Sequence, residues 1–82
     1  MSLNAIKTNR FILKLKKKSD SEFRLSSVIS YMNGKKHGIK KHYYESGQLR
    51  STTPYVNGKE HSIEKRYYKS GQLQTEIPYV NI

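Results

Sequence analysis

Residues 31–54 and 55–78 are two near-copies of one 24-residue unit, laid end to end. The first reads YMNGKKHGIKKHYYESGQLRSTTP and the second YVNGKEHSIEKRYYKSGQLQTEIP. A third copy opens at residue 79 and stops after YVNI. Tyr, Asn-Gly-Lys, His, Ile, Lys, Tyr-Tyr, Ser-Gly-Gln-Leu and Pro recur at the same offsets. Self-similarity at this period marks a repeat architecture, in which each unit is one supersecondary element and neighbours stack. Such chains offer extended surfaces to partners and rarely enclose a catalytic pocket.

The offset also reaches backwards. Leu15, Ile39 and Ile63 are each 24 residues apart, and so are Leu25, Leu49 and Leu73. Residues 7–30 then form a degenerate first repeat without the Tyr-Tyr pair or the Ser-Gly turn, as a capping repeat does. The expected organisation is a single domain over residues 1–82. A leader and degenerate repeat occupy 1–30, full repeats 31–54 and 55–78, and a truncated repeat 79–82.

Asn-Gly at 33–34 and 57–58 and Ser-Gly at 46–47 and 70–71 are turn signals. Between them lie segments of strand length, rich in Tyr, Ile, Thr and Val, with no room for a useful helix. The expectation is an all-β fold, a single-layer antiparallel β-meander of about six strands built from hairpin repeats. Strands are placed near 10–17, 22–32, 38–44, 49–56, 62–68 and 73–80. A basic amphipathic helix over 3–18 is the rival for the leader, but Phe11, Leu13 and Leu15 alternate as a strand does.

Successive strand residues point to opposite faces. Odd positions collect Phe11, Leu13, Leu15, Phe23, Leu25, Ile29, Tyr31, Ile39, Tyr43, Leu49, Tyr55, Ile63, Tyr67, Leu73, Ile77 and Tyr79, which predicts one apolar face. Even positions collect mostly basic residues. Keeping odd residues together across hairpins calls for odd-length loops. Residues 45–47 and 69–71 fit a three-residue loop ending in a left-handed Gly. A two-residue Asn-Gly turn would flip the faces, so the longer loop Asn-Gly-Lys-Lys-His is expected. Pro54 and Pro78, lacking a ladder donor, are expected at a bulge or bend.

Charge narrows the class of partner. Formal net charge is +10. Residues 1–18 carry six basic and no acidic side chains, residues 31–54 a net +4 and residues 55–78 a net +1. This favours an acidic partner, nucleic acid or an acidic protein face. With no Cys there is no disulfide, thiolate zinc site or thiol nucleophile. No apolar run approaches the ~20 residues that span a bilayer, and no membrane partner is expected. Charges following the apolar patch do not make a secretory signal, so a cytoplasmic protein is expected.

The candidate partner-binding residues lie at even positions. Lys14, Lys16 and Arg24 come from the basic first part. Lys40, His42, Tyr44 and Arg50 come from the first full repeat, and Arg66 and Tyr68 from the second. Bases stack on Tyr rings while cations take phosphates, so this face also suits nucleic acid. His37 and His61, one repeat apart, have no carboxylate or Cys at ligand spacing, so no metal is expected. His42 with Glu45 and Arg50, or His61 with Glu64 and Arg66, supply the residue types of an acid–base nuclease. Such triplets arise easily in a charged repeat, and neither catalytic residues nor a cofactor is expected.

The unit YxNGKxxGxxxxYYxSGQL resembles the variant MORN repeat, well over residues 31–82 and poorly over 7–30. Ser62, where the first copy has Gly38, departs from the pattern. The resemblance implies a curved single-layer antiparallel sheet of stacked hairpins and a binding role, since members include bacterial antitoxin and immunity proteins paired with toxins. The expected function is a small non-catalytic protein that masks or inhibits a macromolecular partner. That partner is a toxin, effector or nucleoprotein complex, as for an antitoxin, an immunity protein or a phage-type inhibitor of a host defence system. The alternative is a basic nucleic-acid-binding module, or an inhibitor of a nucleoprotein complex that touches its nucleic acid. An exposed apolar face further leads to the expectation of a homodimer through Leu49, Ile63, Leu73 and neighbouring Tyr, or of a strongly curled monomer.

Overall fold

The computed structural model describes residues 9–80. These residues form eight strands: β1 (Asn9–Lys17), β2 (Phe23–Met32), β3 (Lys35–Lys36), β4 (Gly38–Tyr43), β5 (Leu49–Val56), β6 (Lys59–Glu60), β7 (Ser62–Tyr67) and β8 (Leu73–Tyr79). All join one antiparallel sheet in the order β1-β2-β4-β5-β7-β8, with β3 paired to β2 and β6 to β5. The all-β meander expected from the turn signals is therefore what the chain forms, with β3 and β6 as two short additions beyond the Asn-Gly turns. Residues 9–17 are strand, so the helical alternative fails there; residues 1–8, 81 and 82 lie outside the described part.

The hairpin connections follow from local chemistry. Tyr44 N–H donates to Gln48 C=O (2.8 Å) and Tyr68 N–H to Gln72 C=O (2.9 Å), which closes three-residue loops over 45–47 and 69–71. Each ends in a left-handed Gly, at φ 98° for Gly47 and 93° for Gly71, as expected. The Asn-Gly connections are different. Asn33 and Gly34 have φ of 53° and 80°, and Asn57 and Gly58 51° and 86°. Positive φ at both central residues makes a two-residue hairpin turn, and Met32 pairs directly with Lys35 and Val56 with Lys59. The longer loop expected from parity is not formed.

A bulge in each hairpin reconciles the short turn with constant faces. Lys14 pairs with Ser27 but Leu15 with Leu25, leaving Ser26 without a ladder partner. Likewise Arg50 is skipped between Ser51 and Leu49, and Gln74 between Thr75 and Leu73. Each bulge inverts the parity of its strand, and each two-residue turn inverts it again. The two inversions cancel once per repeat. One face therefore holds Phe11, Leu13, Leu15, Phe23, Leu25, Ile39, Tyr43, Leu49, Ile63, Tyr67 and Leu73, as expected from odd positions. Ile29, Tyr31, Tyr55, Ile77 and Tyr79, beyond the bulges, belong to the opposite, polar face.

The returning strand is irregular again opposite residues 30 and 54. His37 N–H donates to Ser30 C=O and His61 N–H to Pro54 C=O, both at 2.9 Å. Next come Gly38 at φ 89° and Ser62 at φ 66°. Pro54, without an N–H, sits where the ladder between β5 and its neighbour breaks, as a proline requires. A Cβ on Gly38 would meet Ser30 Oγ at 2.7 Å, and that hydroxyl is committed to His37 C=O. In the second copy Pro54 stands where Ser30 did, and a Ser is accommodated at 62.

The sheet is a slab of 51 × 38 × 14 Å, one layer thick. Among the described residues, Ile29 is the one buried large apolar side chain, 7% exposed. The other buried residues are Ser26, Ser27, Ser51, Thr53 and Glu64. Burial is thus concentrated on the polar face, where small hydroxyl side chains lie low between longer ones. Phe11, Leu13, Leu15, Phe23, Ile39, Ile63 and Leu73 on the other face are all exposed.

Candidate functional site on the polar face

Strand register carries one row of side chains straight across the polar face. Lys14 pairs with Ser27, Ser27 with His42, His42 with Ser51, Ser51 with Arg66, and Arg66 with Thr75. Basic side chains alternate with hydroxyls, and strands lie ~4.8 Å apart, so successive basic positions are ~10 Å apart. Lys16 and Arg24 form the next cross-strand pair towards the β1–β2 loop. The polar face is therefore basic on β1 and β2 as well as at its centre.

At the centre lies a broad cleft of about 590 Å³. β4 and the turn after it contribute Lys40, His42 and Tyr44; β5 contributes Arg50, Ser51, Thr53 and Tyr55; β7 and β8 contribute Glu64, Arg66 and Gln74. Arg50 and Gln74 are the bulge residues, so each bulge adds a side chain to this face. Lys40, His42, Tyr44, Arg50 and Arg66, all expected on a partner surface, thus meet in one site drawn from both repeats. Tyr68 does not join them; it is 49% exposed beyond the cleft.

Tyr44 ties neighbouring hairpins together. Its hydroxyl donates to the Tyr67 carbonyl at 2.6 Å. Arg50 and Lys69 stand over its ring, 5.8 and 5.9 Å from the centroid. Lys36 stands 5.2 Å from the Tyr55 centroid. Cations held over aromatic faces at these distances gain electrostatically from the ring quadrupole. They also keep Lys and Arg charges pinned near the cleft.

Glu64, named in the sequence only beside His61 and Arg66, is the acidic centre of the cleft. It occupies the repeat position of Lys40, yet it is 8% exposed. Arg66 Nε donates to its Oε2 at 2.7 Å and Tyr79 O–H to its Oε1 at 3.1 Å. Burial pushes the carboxyl up, but hydrogen bonds from Arg66, Tyr79 and Thr53 outweigh it and hold it below its ordinary range. His42 is also held below its ordinary value, first by burial and then by Lys40 and Arg50, against the pull of Glu64. Burial and the Glu60 and Glu64 carboxylates push the Tyr55 phenol up. At neutral pH the cleft therefore holds Glu64 ionised and His42 neutral beside Lys40, Arg50 and Arg66.

Each within-repeat triplet keeps two members in the cleft, His42 with Arg50 and Glu64 with Arg66, and leaves the third outside. Glu45 is exposed on its turn and His61 is exposed at the edge of β7, neither lining the cleft. His37 lies instead in a second cleft of about 480 Å³ beside Asn33, Lys35 and Asn57. No group of three or more His, Cys, Asp or Glu suited to a metal occurs among the described residues. Tyr55, Ser51 and Thr53 went unrecognised because the Arg50 bulge inverts parity beyond it; the recurring Leu-x-Ser/Thr at 49–51 and 73–75 is the nearest signal.

The family model described as MORN repeat variant matches residues 36–57 and 60–81, together more than half of the chain. Neither a curated protein nor a solved structure gave a match.

Proposed function

The chain belongs to the MORN repeat variant family, and from that premise we propose that it is a non-catalytic binding protein that masks an acidic protein partner on its polar face. The observation that supports this reading is the convergence of Lys40, Arg50 and Arg66 around Tyr44 in a single cleft. Lys14, Lys16 and Arg24 extend that field over β1 and β2 and would steer an acidic partner towards it. A partly buried Tyr ringed by cations is the composition of an interface hot spot. In this reading the protein acts in the cytoplasm as an antitoxin, an immunity protein or a phage-type inhibitor. The partner is a toxin, an effector or a nucleoprotein complex.

Nucleic acid is the second reading, favoured by the Lys14, His42 and Arg66 row with its intervening hydroxyls. A protein partner fits better. Glu64 sits where phosphates would pass, and the Tyr44 ring already carries two cations rather than lying free for base stacking. The test is affinity capture with and without nuclease, read by mass spectrometry, using the wild type and Lys40→Glu. A nuclease-resistant partner lost with Lys40→Glu supports the proposal. Capture abolished by nuclease moves the assignment to nucleic acid, and capture unaffected by Lys40→Glu removes the polar face from the account.

A further inference from the structure

The face opposite the cleft is the larger unexplained surface. Phe11 is 71% exposed, Leu13 58%, Leu15 56% and Phe23 58%, and strand pairing sets them side by side on β1 and β2. Phe11, Leu13, Leu15 and Phe23 alone expose roughly 500 Å², so two such halves would bury about the 1,000 Å² that a specific interface needs; Ile39, Ile63 and Leu73 extend the apolar face beyond them. The largest patch on a typical monomer is ~300–600 Å².

We propose that the β1–β2 half of this apolar face is a homodimer interface, packing against the same surface of a second copy. Charge selects the occupant and the half. Within β1 and β2 Lys17 is the one charged side chain on this face among the described residues, with Lys35 and Lys41 at its border beside Met32 and Val28, so an acidic or basic partner would find little to pair with at its centre. Such charge-poor, apolar surface is typical of homodimers. The far half is less suited, because Lys41, Lys65 and Glu76 set a row of charges across it that an apolar interface would have to desolvate.

The opposite side of the sheet strengthens the choice. Arg10, Lys14, Lys16 and Arg24 all lie on the polar face of β1 and β2. Pairing two β1 edges would set these cations side by side. Packing the apolar faces sends them outward in opposite directions. Two sheets pack ~10 Å apart, so with their own side chains the two basic faces stand beyond the ~8 Å Debye length at physiological salt. The product is a two-layer sandwich displaying two polar clefts, one on each outer face. The dimer is then bivalent for whatever occupies the cleft, and its formation does not depend on the identity of that occupant.

Sedimentation of the full chain across the micromolar to millimolar range tests the interface. A dimer is expected whose dissociation constant rises roughly tenfold or more with Leu13→Glu and is not weakened by added salt. Leu13 is exposed, and a retained β-type circular-dichroism spectrum will show that the variant folds. Because the chain has no Cys, single thiols give a second measurement that leaves the interface otherwise intact. Leu13→Cys should cross-link between copies with a short bis-maleimide, and Lys14→Cys, one residue away on the opposite face, should not. A monomer throughout the range, a dimer indifferent to Leu13→Glu, dissociation by salt, or cross-linking through Lys14→Cys would each overturn the proposal.

Discussion

Replacing Glu64 by Gln should move stability and binding in opposite directions. The carboxylate accepts from Arg66 Nε at 2.7 Å and from Tyr79 O–H at 3.1 Å. A charge-assisted hydrogen bond is worth ~1.5–3 kcal/mol, but the Arg66 side chain is 53% exposed and solvent reduces its share to ~1 kcal/mol or less. Gln keeps an oxygen for Tyr79, so the total loss is expected at about 1–1.5 kcal/mol. The cleft meanwhile passes from three cations and one carboxylate to three cations unopposed. Removing one like charge ~7 Å from a bound anion is worth about 0.6 kcal/mol in water, roughly threefold in affinity. Urea unfolding followed by circular dichroism reads the first effect, and anisotropy of a labelled poly-L-glutamate probe reads the second. Acid gives an independent check. Glu64 is held below its ordinary value of 4.5, so its contribution is present above that pH and is lost as pH falls through the folded-state value. The two stability curves should therefore converge in acid. Unchanged stability together with weaker probe binding would refute the placement of Glu64 as both structural anchor and electrostatic brake.

Tyr44→Phe should cost ~0.5–1.5 kcal/mol in urea unfolding by removing the hydrogen bond to Tyr67. Tyr44→Ala should also abolish partner binding at low and physiological salt, whereas the loss with Lys40→Glu should be partly mimicked by salt. Gly38→Ala should destabilise by at least ~1–2 kcal/mol, since φ is positive and the Cβ meets Ser30 Oγ, while Ser62→Gly should be neutral or stabilising in the same melt. His42, held below its ordinary 6.5, resists protonation when folded. Its contribution is present above pH ~6.5 and lost as pH falls towards the folded value, so thermal melts from pH 7 to 5 should lose less for His42→Gln.

The strands were legible because Asn-Gly and Ser-Gly punctuate the chain at fixed offsets, and the three-residue loops because a left-handed Gly ends each. The bulges were not. Ser26, Arg50 and Gln74 share no residue type, and a bulge on a polar face demands none. Without them the parity of β2, β5 and β8 is wrong past the bulge, which misassigned Ile29, Tyr31, Tyr55, Ile77 and Tyr79. Lys40, His42, Arg50 and Arg66 were placed on the polar face because each follows or precedes an apolar residue, Ile39, Tyr43, Leu49 or Tyr67. Glu64 is legible in the sequence only as one member of a triplet with His61 and Arg66; its burial and its bond from Tyr79 depend on neighbouring strands and could not be read from its own. Tyr68 was expected beside Tyr44 by repeat equivalence. Tyr44, however, is held by the hairpin that follows it, while Tyr68 belongs to the last described hairpin.

The cancelling pair of bulge and two-residue turn gives each repeat a grammar that tolerates only whole words. A single inserted or deleted residue acts like a frameshift, because everything downstream changes sides and buries lysine while exposing the cleft's hydroxyls. A complete 24-residue unit can be duplicated or lost with every neighbour keeping its orientation. Lineages of such chains are thus free to vary in length by whole modules. Within a module, the count of residues is under tighter restraint than their identity.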